Sequence, residues 1–317
     1  MLIFRHLGDL PAAMRGAAVA IGNFDGVHLG HQTVIAEAGQ LAHAHGRPWA
    51  VLTFEPHPRK LFRPGDPPFR LTLLRAKARF IAELGVDFLV ALRFDRAFSS
   101  LAADEFIRQI LVDGFHASHV VAGYDFVFGK GRAGTCELLL RAGRTLGFDV
   151  TAVHAVRDQA GEALSSSRAR DALRRGDVAQ AAAILGRAPE IEGRIMHGDK
   201  RGRTIGFPTA NVALRNHLRP AGGVYAVRVA IDGDPGPDGE PVWRDGVANI
   251  GRRPTLGGTV DVLEVYLFDF SGDLYGRRAR VRLIEHLRRE RAFDGIDSLR
   301  AQIAEDSLRA RRILKVS

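Results

Sequence analysis

Short apolar runs alternate with amphipathic segments through the first half of the chain. Runs such as Ala17–Ile21 and Ala50–Phe54 are apolar throughout, which predicts strands buried on both faces. Leu29–Ala44 carries apolar residues at helical spacing and predicts a helix. The same alternation continues with strands at Val86–Leu92 and His119–Ala122 and helices at Leu73–Leu84, Ala103–Val112 and Cys136–Leu146. This order predicts a parallel sheet covered by helices on both faces.

The pattern changes near residue 187. Two short helical stretches, Ser167–Arg175 and Val178–Leu185, lead up to this point. Beyond it, strands dominate and every second residue is apolar, as in Val224–Ile231 and Val262–Phe268. Antiparallel strands with turn signals between them predict a small barrel or sandwich.

Two further segments complete the second half. Asp232–Pro241 is rich in glycine, proline and aspartate and predicts an exposed turn or loop. Ile296–Leu314 has the spacing of an amphipathic helix. We therefore expect one domain over residues 1–186 and a second over residues 187–317.

Composition agrees with two globular domains and excludes several other classes. The chain has 317 residues, of which 46% are hydrophobic, so wholesale disorder is excluded. Its one cysteine, Cys136, permits no intramolecular disulfide and no Cys-rich metal site, which fits a reducing cytoplasm. We expect no signal peptide, because the N-terminal segment lacks a long apolar core behind a basic start, and no membrane partner, because no run of about 18 apolar residues is present. The net charge of +9 favours anionic ligands without separating nucleotides from nucleic acids.

The stretch AIGNFDGVHLGHQTVI carries the most informative chemistry of the first half. It leaves a strand, turns through Gly22 and Gly26, and enters a helix, where backbone N–H groups can approach phosphate. His28 and His31 are three residues apart and can face the same side, where they can stabilise charge on a leaving pyrophosphate. Two alternatives stay open on these residues alone: a glycine-rich turn with two surface histidines, and a metal pair near Asp25.

The motif G-x-F-D-G-x-H-x-G-H, from Gly22 to His31, resembles that of the H-x-G-H nucleotidyltransferase superfamily. The first half as a whole resembles the adenylyltransferase module of bacterial bifunctional riboflavin kinase/FAD synthetases. Further blocks match in the same order: Thr53–Phe62, Phe98–Ile107, Val120–Thr135 and Ser165–Arg187.

This resemblance implies roles for individual residues. It implies an ATP site made of Gly22, Asn23, Phe24, Asp25, His28, His31, Ser165, Ser167 and Arg168, with His28, His31 and Arg168 acting in catalysis. It implies a flavin site made of Asp125, Phe126, Phe128 and Arg132. On the residues alone, helix capping by Ser165–Ser167 and a strand core containing Phe126 and Phe128 remain open.

A second candidate site precedes the predicted barrel strands. Gly198, Gly202 and Gly206 recur every four residues, which suits a loop folding over phosphate. Thr209 and Asn211 lie two residues apart, so in extended chain they offer two neutral oxygens to a hard cation. A plain turn stays open as the alternative. Glu264 stands inside an apolar strand, where a carboxylate is costly unless it is paired or functional.

The segment GDKRGRTIGFPTAN resembles the riboflavin kinase motif, and GVYAVRV, GVANIGRRPT and LEVYLFDF follow in family order. The resemblance implies a kinase ATP site made of Gly198, Lys200, Gly202, Gly206, Thr209 and Asn211. It also implies that Thr209 and Asn211 hold Mg²⁺ and that Glu264 is the general base for the riboflavin 5′-hydroxyl. A glutamate at the barrel mouth paired with an arginine is the alternative for Glu264.

The resemblance implies a Rossmann-like α/β nucleotidyltransferase domain followed by a small antiparallel β-barrel with a C-terminal helix. It implies that ATP phosphorylates riboflavin to FMN and that a second ATP adenylylates FMN to FAD, releasing pyrophosphate. The expected partners are riboflavin, FMN, FAD and ATP, with Mg²⁺ and without nucleic acid.

Rival functions differ in what they require. A single-activity nucleotidyltransferase with a regulatory β domain is the main alternative, and the Pro-Thr-Ala-Asn block argues against it. A class I aminoacyl-tRNA synthetase also uses an H-x-G-H-like turn, but the three methionines, at 1, 14 and 196, leave no Lys-Met-Ser-Lys-Ser-like segment. A nucleic-acid binder is suggested only by the charge.

Overall fold

The structure is a computed structural model that describes residues 1–196, 206–236, 238–255 and 258–316. The chain forms two compact units. The first unit contains Met1–Asp66 and Leu74–Ser165, and the second contains Pro67–Leu73 and Ser166–Ser317. The segment Pro67–Leu73 belongs to the second unit, where Arg70 forms a backbone bridge with His217.

A six-stranded parallel sheet forms the centre of the first unit, in the order β1-β4-β3-β2-β5-β6. The strands are β1 (Leu2–Phe4), β2 (Ala18–Ile21), β3 (Trp49–Glu55), β4 (Phe88–Arg93), β5 (His119–Gly123) and β6 (Asp149–Val153). Successive residues of β3 enter opposite cores: Leu52 packs in one and Val51 in the other. Both faces are therefore buried, which explains why the predicted strands are apolar throughout.

Helices cover this sheet. They are α1 (Leu29–Ala44), α2 (Pro58–Phe62), α3 (Leu74–Ala82), α4 (Arg96–Ser99), α5 (Ala103–Phe106) and α6 (Cys136–Leu146). The predicted bounds of α1 and α6 match the structure. The helix predicted over Ala103–Val112 differs, because α5 ends at Phe106 and Ile107–Val112 is a π-helix. The wider turn, in which the Asp113 N–H bonds to Arg108 O, still buries Ile107, Ile110 and Leu111.

Besides Pro67–Leu73, the second unit contains α7 (Ser166–Arg175), α8 (Val178–Leu185) and a closed barrel with the strand order β10-β11-β8-β7-β12-β9. Its strands are β7 (Glu190–Met196), β8 (Ala210–Ala213), β9 (Gly223–Pro235), β10 (Pro241–Thr255), β11 (Gly258–Leu267) and β12 (Arg278–Arg288). Tyr225, Val227 and Val229 of β9 are buried, as their shared face predicts. The barrel alternative is thus confirmed over the sandwich.

A C-terminal helix, α9 (Ile296–Val316), packs against the barrel. Its Ala310 and Leu314 join Val224 and Ala226 of β9 in an apolar cluster, so β9 is buried on both faces. Arg311 of α9 binds both carboxylate oxygens of Asp269, and this hydrogen bonding lowers the pKa of that carboxyl. The predicted α/β domain, barrel and terminal helix are therefore all present.

The loop predicted over Asp232–Pro241 is shorter than expected. Strand β9 continues to Pro235, and β10 begins at Pro241. Ladder pairing of Pro241 with Pro235 holds both ends of this segment in the sheet. Composition alone missed this pairing, since glycine and proline also occur at the ends of hairpins.

Candidate active sites

The turn after β2 places two histidines at the beginning of α1. His28 is the N-cap of the helix: its Nδ1 accepts the His31 N–H at 3.3 Å, so the neutral ring carries its proton on Nε2. The two imidazoles stack with their centroids 3.5 Å apart and their planes inclined by 24°. The pair therefore sits where the helix dipole favours an anion.

Close packing shapes this turn. Phe24 and Val27 are buried with φ of 48° and 44°, a left-handed conformation that is costly for these side chains. A Cβ atom on Gly22 would lie 3.0 Å from the Phe24 ring, and one on Gly30 would lie 3.1 Å from His28 Cε1. A side chain at either glycine would therefore press on the Phe24 or His28 ring and require it to shift by a few tenths of an ångström. Asp25 is also buried here.

A cavity of about 730 Å³ lies in the same unit, and Asn23 lines it. Seven phenylalanines line its wall: Phe54, Phe62, Phe94, Phe98, Phe106, Phe126 and Phe128. The lining also includes four cationic side chains, Arg59, Arg63, Lys130 and Arg132. An apolar cavity of this size with a few polar groups has the character of a small-molecule site, and its aromatic wall suits a flat ring.

The predicted flavin residues take different places around this cavity. Phe126, Phe128 and Arg132 line it, and the two phenyl rings stack at 5.6 Å with an 18° angle. Phe128 forms only an isolated bridge with Gly134, so the two phenylalanines do not belong to a regular strand. Asp125 is exposed and is not among the residues lining the cavity, and its contact with flavin stays a prediction.

The serine block divides between the two units. Leu164 O lies 3.6 Å from where a Cβ on Gly30 would be, which brings the residue before Ser165 next to the beginning of α1. Ser167 and Arg168 belong to the first turn of α7, in the second unit. Their action on the triphosphate stays a prediction.

One buried charge escaped sequence reasoning. Lys77 of α3 has a side chain with no solvent exposure and donates to the Asn23 carbonyl oxygen at 2.8 Å. The signal was present, because Lys77 stands on the buried side of α3 with Ala76, Phe80 and Ile81. A lysine is almost never fully buried unless its charge is paired, so a lysine on the buried side of a helix indicates a specific partner.

In the second unit, strand pairing joins two of the predicted kinase residues. Glu264 of β11 is the register partner of Asn211 of β8, so both side chains are on the same face of the sheet. The flanking Leu263 and Val265 are buried in the barrel, while Glu264 is half-buried. Asn211 is buried, and its Oδ1 accepts no hydrogen bond from the part of the chain that the structure describes.

The remaining kinase residues fall partly outside the described residues. Thr209 lines a cavity of about 330 Å³ together with Pro208, Phe270 and Tyr275. Gly206 has a φ of +88°, a conformation that suits glycine. The predicted phosphate-binding residues Gly198, Lys200 and Gly202 lie outside the described residues.

Two family models match the chain, one in each half. The FAD synthetase model matches residues 10–168, and the riboflavin kinase model matches residues 185–314. A protein named bifunctional riboflavin kinase/FMN adenylyltransferase in Escherichia coli K12 is 44% identical over 98% of this chain and 97% of its own. The chain belongs to the bifunctional riboflavin kinase/FMN adenylyltransferase family.

Other relatives of this family member agree in length and order. The protein of the same name from Haemophilus influenzae is 41% identical over 96% of this chain and 97% of its own. A solved structure titled as a macrolide-efflux protein from Streptococcus pneumoniae is 32% identical, with a TM-score of 0.83 over 98% of both chains. Among the described residues of this family member, no helix combines the length and apolar character needed to cross a membrane.

Proposed function

We propose that the barrel unit phosphorylates riboflavin through Glu264 and that the α/β unit adenylylates the resulting FMN through His28 and His31. The chain is a bifunctional riboflavin kinase and FMN adenylyltransferase that uses ATP. The observation that carries the residue assignment is the pairing of Glu264 with Asn211 in the barrel. The proposed location is the cytoplasm, and it is supported by the single cysteine, Cys136, which permits no intramolecular disulfide.

In the kinase step, Glu264 accepts the proton of the riboflavin 5′-hydroxyl as the oxygen attacks the γ-phosphorus of ATP. The bond to the β–γ bridging oxygen breaks, and ADP and FMN are the products. A half-buried carboxylate on a fixed strand is suited to this role, because the position of the base relative to the hydroxyl governs its efficiency.

A magnesium ion fits the oxygens beside this base. The Oδ1 atom of Asn211 is a buried carbonyl oxygen without a donor among the described residues, and Thr209 supplies a hydroxyl two positions away. Uncompensated burial of a carbonyl oxygen is costly, and hard cations take such oxygens together with ATP phosphates. Mg²⁺ would neutralise phosphate charge there, and Thr209 and Asn211 would hold it.

Replacing Asn211 is expected to raise the magnesium requirement of the kinase. Asn211→Leu keeps the volume of the buried side chain and removes the oxygen. We expect the Mg²⁺ concentration for half-maximal FMN formation to rise about tenfold, because the loss of one group that holds a metal lowers the metal affinity by about this factor. The measurement is FMN formation against Mg²⁺ concentration, with exposed Asn216→Leu as the matched control. An unchanged magnesium curve in Asn211→Leu contradicts the assignment.

In the adenylyl step, an FMN phosphate oxygen attacks the α-phosphorus of ATP, and the bond to pyrophosphate breaks. The nucleophile is already anionic, so the protein needs no covalent intermediate. His28 and His31 act on the charge that develops on the leaving pyrophosphate, and their place at the beginning of α1 adds backbone N–H donors. Asn23, which lines the aromatic cavity and precedes the histidine turn, links the flavin site to this centre.

The cavity supplies the flavin side of this reaction. Stacked Phe126 and Phe128 offer faces for the isoalloxazine ring, and Arg132 and Lys130 carry charge that suits the FMN phosphate. These two cationic side chains therefore favour binding of FMN over riboflavin, as the order of the two reactions requires.

The overall proposal is tested with the purified full chain. Riboflavin, ATP and Mg²⁺ are mixed with the protein, and the flavins are separated chromatographically over time. We expect FMN to appear first and FAD to follow. If FMN forms but FAD does not, the assignment of adenylylation to the first unit fails. If added FMN is converted to FAD but riboflavin is not phosphorylated, the assignment of the kinase to the barrel fails. If no product forms at all, both assignments fail.

A further inference from the structure

The ammonium of Lys77 lies beneath the loop that follows β2. Its Nζ donates to Asn23 O at 2.8 Å, to Glu55 Oε1 at 3.0 Å and to Thr53 Oγ1 at 3.2 Å. Thr53 Oγ1 itself donates to Asn23 O at 3.1 Å. The Asn23 carbonyl oxygen is therefore held by two buried donors, and three acceptors surround the three protons of the ammonium.

Burying this charge is expensive. The Lys77 side chain is fully buried and the Glu55 side chain is 13% exposed, so both members of the ion pair lose most of their hydration. An apolar side chain of the same length would fill the space at lower cost, because buried ion pairs seldom add net stability. The position of the ion pair is therefore better explained by the contact of Lys77 with the Asn23 carbonyl oxygen than by a contribution to core packing.

The lysine joins two loops at the carboxyl ends of neighbouring strands. Asn23 follows β2, and Glu55 ends β3, two residues before His57. Asn23 and His57 both line the flavin-sized cavity, and Asn23 lies five residues before His28. The Lys77 ammonium therefore connects the loop that carries Asn23 to the end of β3, beside the strand pairing and the Thr53–Asn23 hydrogen bond.

The same contact acts on a peptide unit. The Asn23 carbonyl and the Phe24 N–H belong to one amide, so a cation on the oxygen makes that N–H a stronger donor. Among the described residues, neither the Asn23 N–H nor the Phe24 N–H has a protein acceptor. In a planar trans amide the Phe24 N–H points away from the carbonyl oxygen, so the contact with Lys77 fixes the direction of this donor.

We infer that Lys77 is a positioning residue for adenylyl transfer: it orients and polarises the Asn23–Phe24 amide toward the nucleotide phosphates and holds that loop against the flavin cavity. This inference rests on the proposed adenylyltransferase function of the first unit. Lys77 touches neither substrate, so it acts through the peptide that it holds.

The test compares the double variant Lys77→Met/Glu55→Gln with wild type, since the second change removes the carboxylate charge that the Lys77 ammonium neutralises. We expect kcat for FAD formation from FMN to fall by about ten- to a hundredfold, because a hydrogen-bond donor to the nucleotide phosphates loses its fixed orientation. We expect KM for FMN to change by less than about twofold, because the cavity wall keeps its aromatic residues. Quenching of flavin fluorescence counts the FMN sites of both units. Because the barrel is the same in every variant, the difference from wild type counts the folded adenylylation sites, and kcat is expressed per such site.

A merely structural role predicts a different outcome. It would lower the number of FMN sites and the melting temperature while leaving kcat per site unchanged, and that result overturns the inference. Thr53→Val gives a second, milder test, because it removes the other donor to the Asn23 oxygen and keeps the volume. We expect a drop in kcat per site of about three- to tenfold for it, because it removes the hydrogen bonds of Thr53 with the Asn23 oxygen and with the Lys77 ammonium. An unchanged kcat in folded Thr53→Val also overturns the inference.

Two controls separate this inference from the proposed function. Arg79→Met removes an exposed ion pair with Glu83 from the same helix and should leave both activities unchanged. Riboflavin phosphorylation, measured in the same samples, should match wild type in every variant. If wild type itself forms no FAD, the proposed function fails; if wild type forms FAD and the Lys77 variant matches it, only the inference fails.

Discussion

Glu264→Gln should stop FMN formation while leaving the conversion of FMN to FAD intact. The glutamine keeps the shape of the side chain and loses the basic oxygen, so the riboflavin hydroxyl has no proton acceptor at the paired strands. We expect kcat for riboflavin phosphorylation to fall by about 10²–10⁴-fold, the range for a positioned general base. The measurement is the rate of each step, started separately from riboflavin and from FMN.

The matched control for this substitution is Glu285→Gln. Glu285 is a half-exposed glutamate of β12 whose partner is Arg309 of α9, so its loss changes charge in the same unit without touching the proposed base. It should retain both activities. A Glu264→Gln protein that still makes FMN at the wild-type rate would show that the carboxylate is a structural partner, the alternative that the sequence left open.

His31→Ala should have the reverse effect: FAD formation stops and FMN formation continues. The imidazole is lost from the beginning of α1, where we propose that it stabilises the departing pyrophosphate. We expect kcat for adenylylation to fall by about 10²–10³-fold, as for the loss of one preorganised donor. The check is the initial rate of pyrophosphate release with FMN and ATP, beside the kinase rate of the same preparation.

His31 is a better probe than His28, because His28 also caps α1 and its loss would weaken the helix by about 1 kcal/mol. The control is His45→Ala, at the exposed other end of the same helix. It should leave adenylylation unchanged. Parallel loss of both activities in a folded His31→Ala protein would contradict the assignment of the two reactions to separate units.

The sequence predicted helices well where the periodic pattern of apolar residues was long enough to fit only a helix. Leu29–Ala44 and Cys136–Leu146 are long and periodic, and their bounds match. Short or edge elements escaped notice: Leu2–Phe4 and Ala210–Ala213 have too few residues to show a period. The π-helix at Ile107–Val112 was missed because its burial pattern resembles that of an α-helix over so short a span.

For the sites, the sequence identified side chains but not their neighbours. Phe126 and Phe128 were expected near flavin, and they line a cavity whose other walls come from Phe54, Phe94 and Phe106, far away in the chain. The contact between Lys77 and the Asn23 carbonyl depends on where α3 packs, which no local pattern reports. Sequence motifs therefore predict which side chains carry the chemistry, and packing determines which other groups lie beside them.

The pairing of Glu264 with Asn211 limits how the barrel can change in length. Neighbouring residues of a strand point to opposite faces, so one residue inserted between Thr209 and Asn211 would shift Thr209 relative to the strand or turn Asn211 toward the interior. Residues added at the exposed tip between Pro235 and Pro241 would leave both side chains in place. Insertions and deletions should therefore be tolerated at that tip and selected against in the four residues from Pro208 to Asn211.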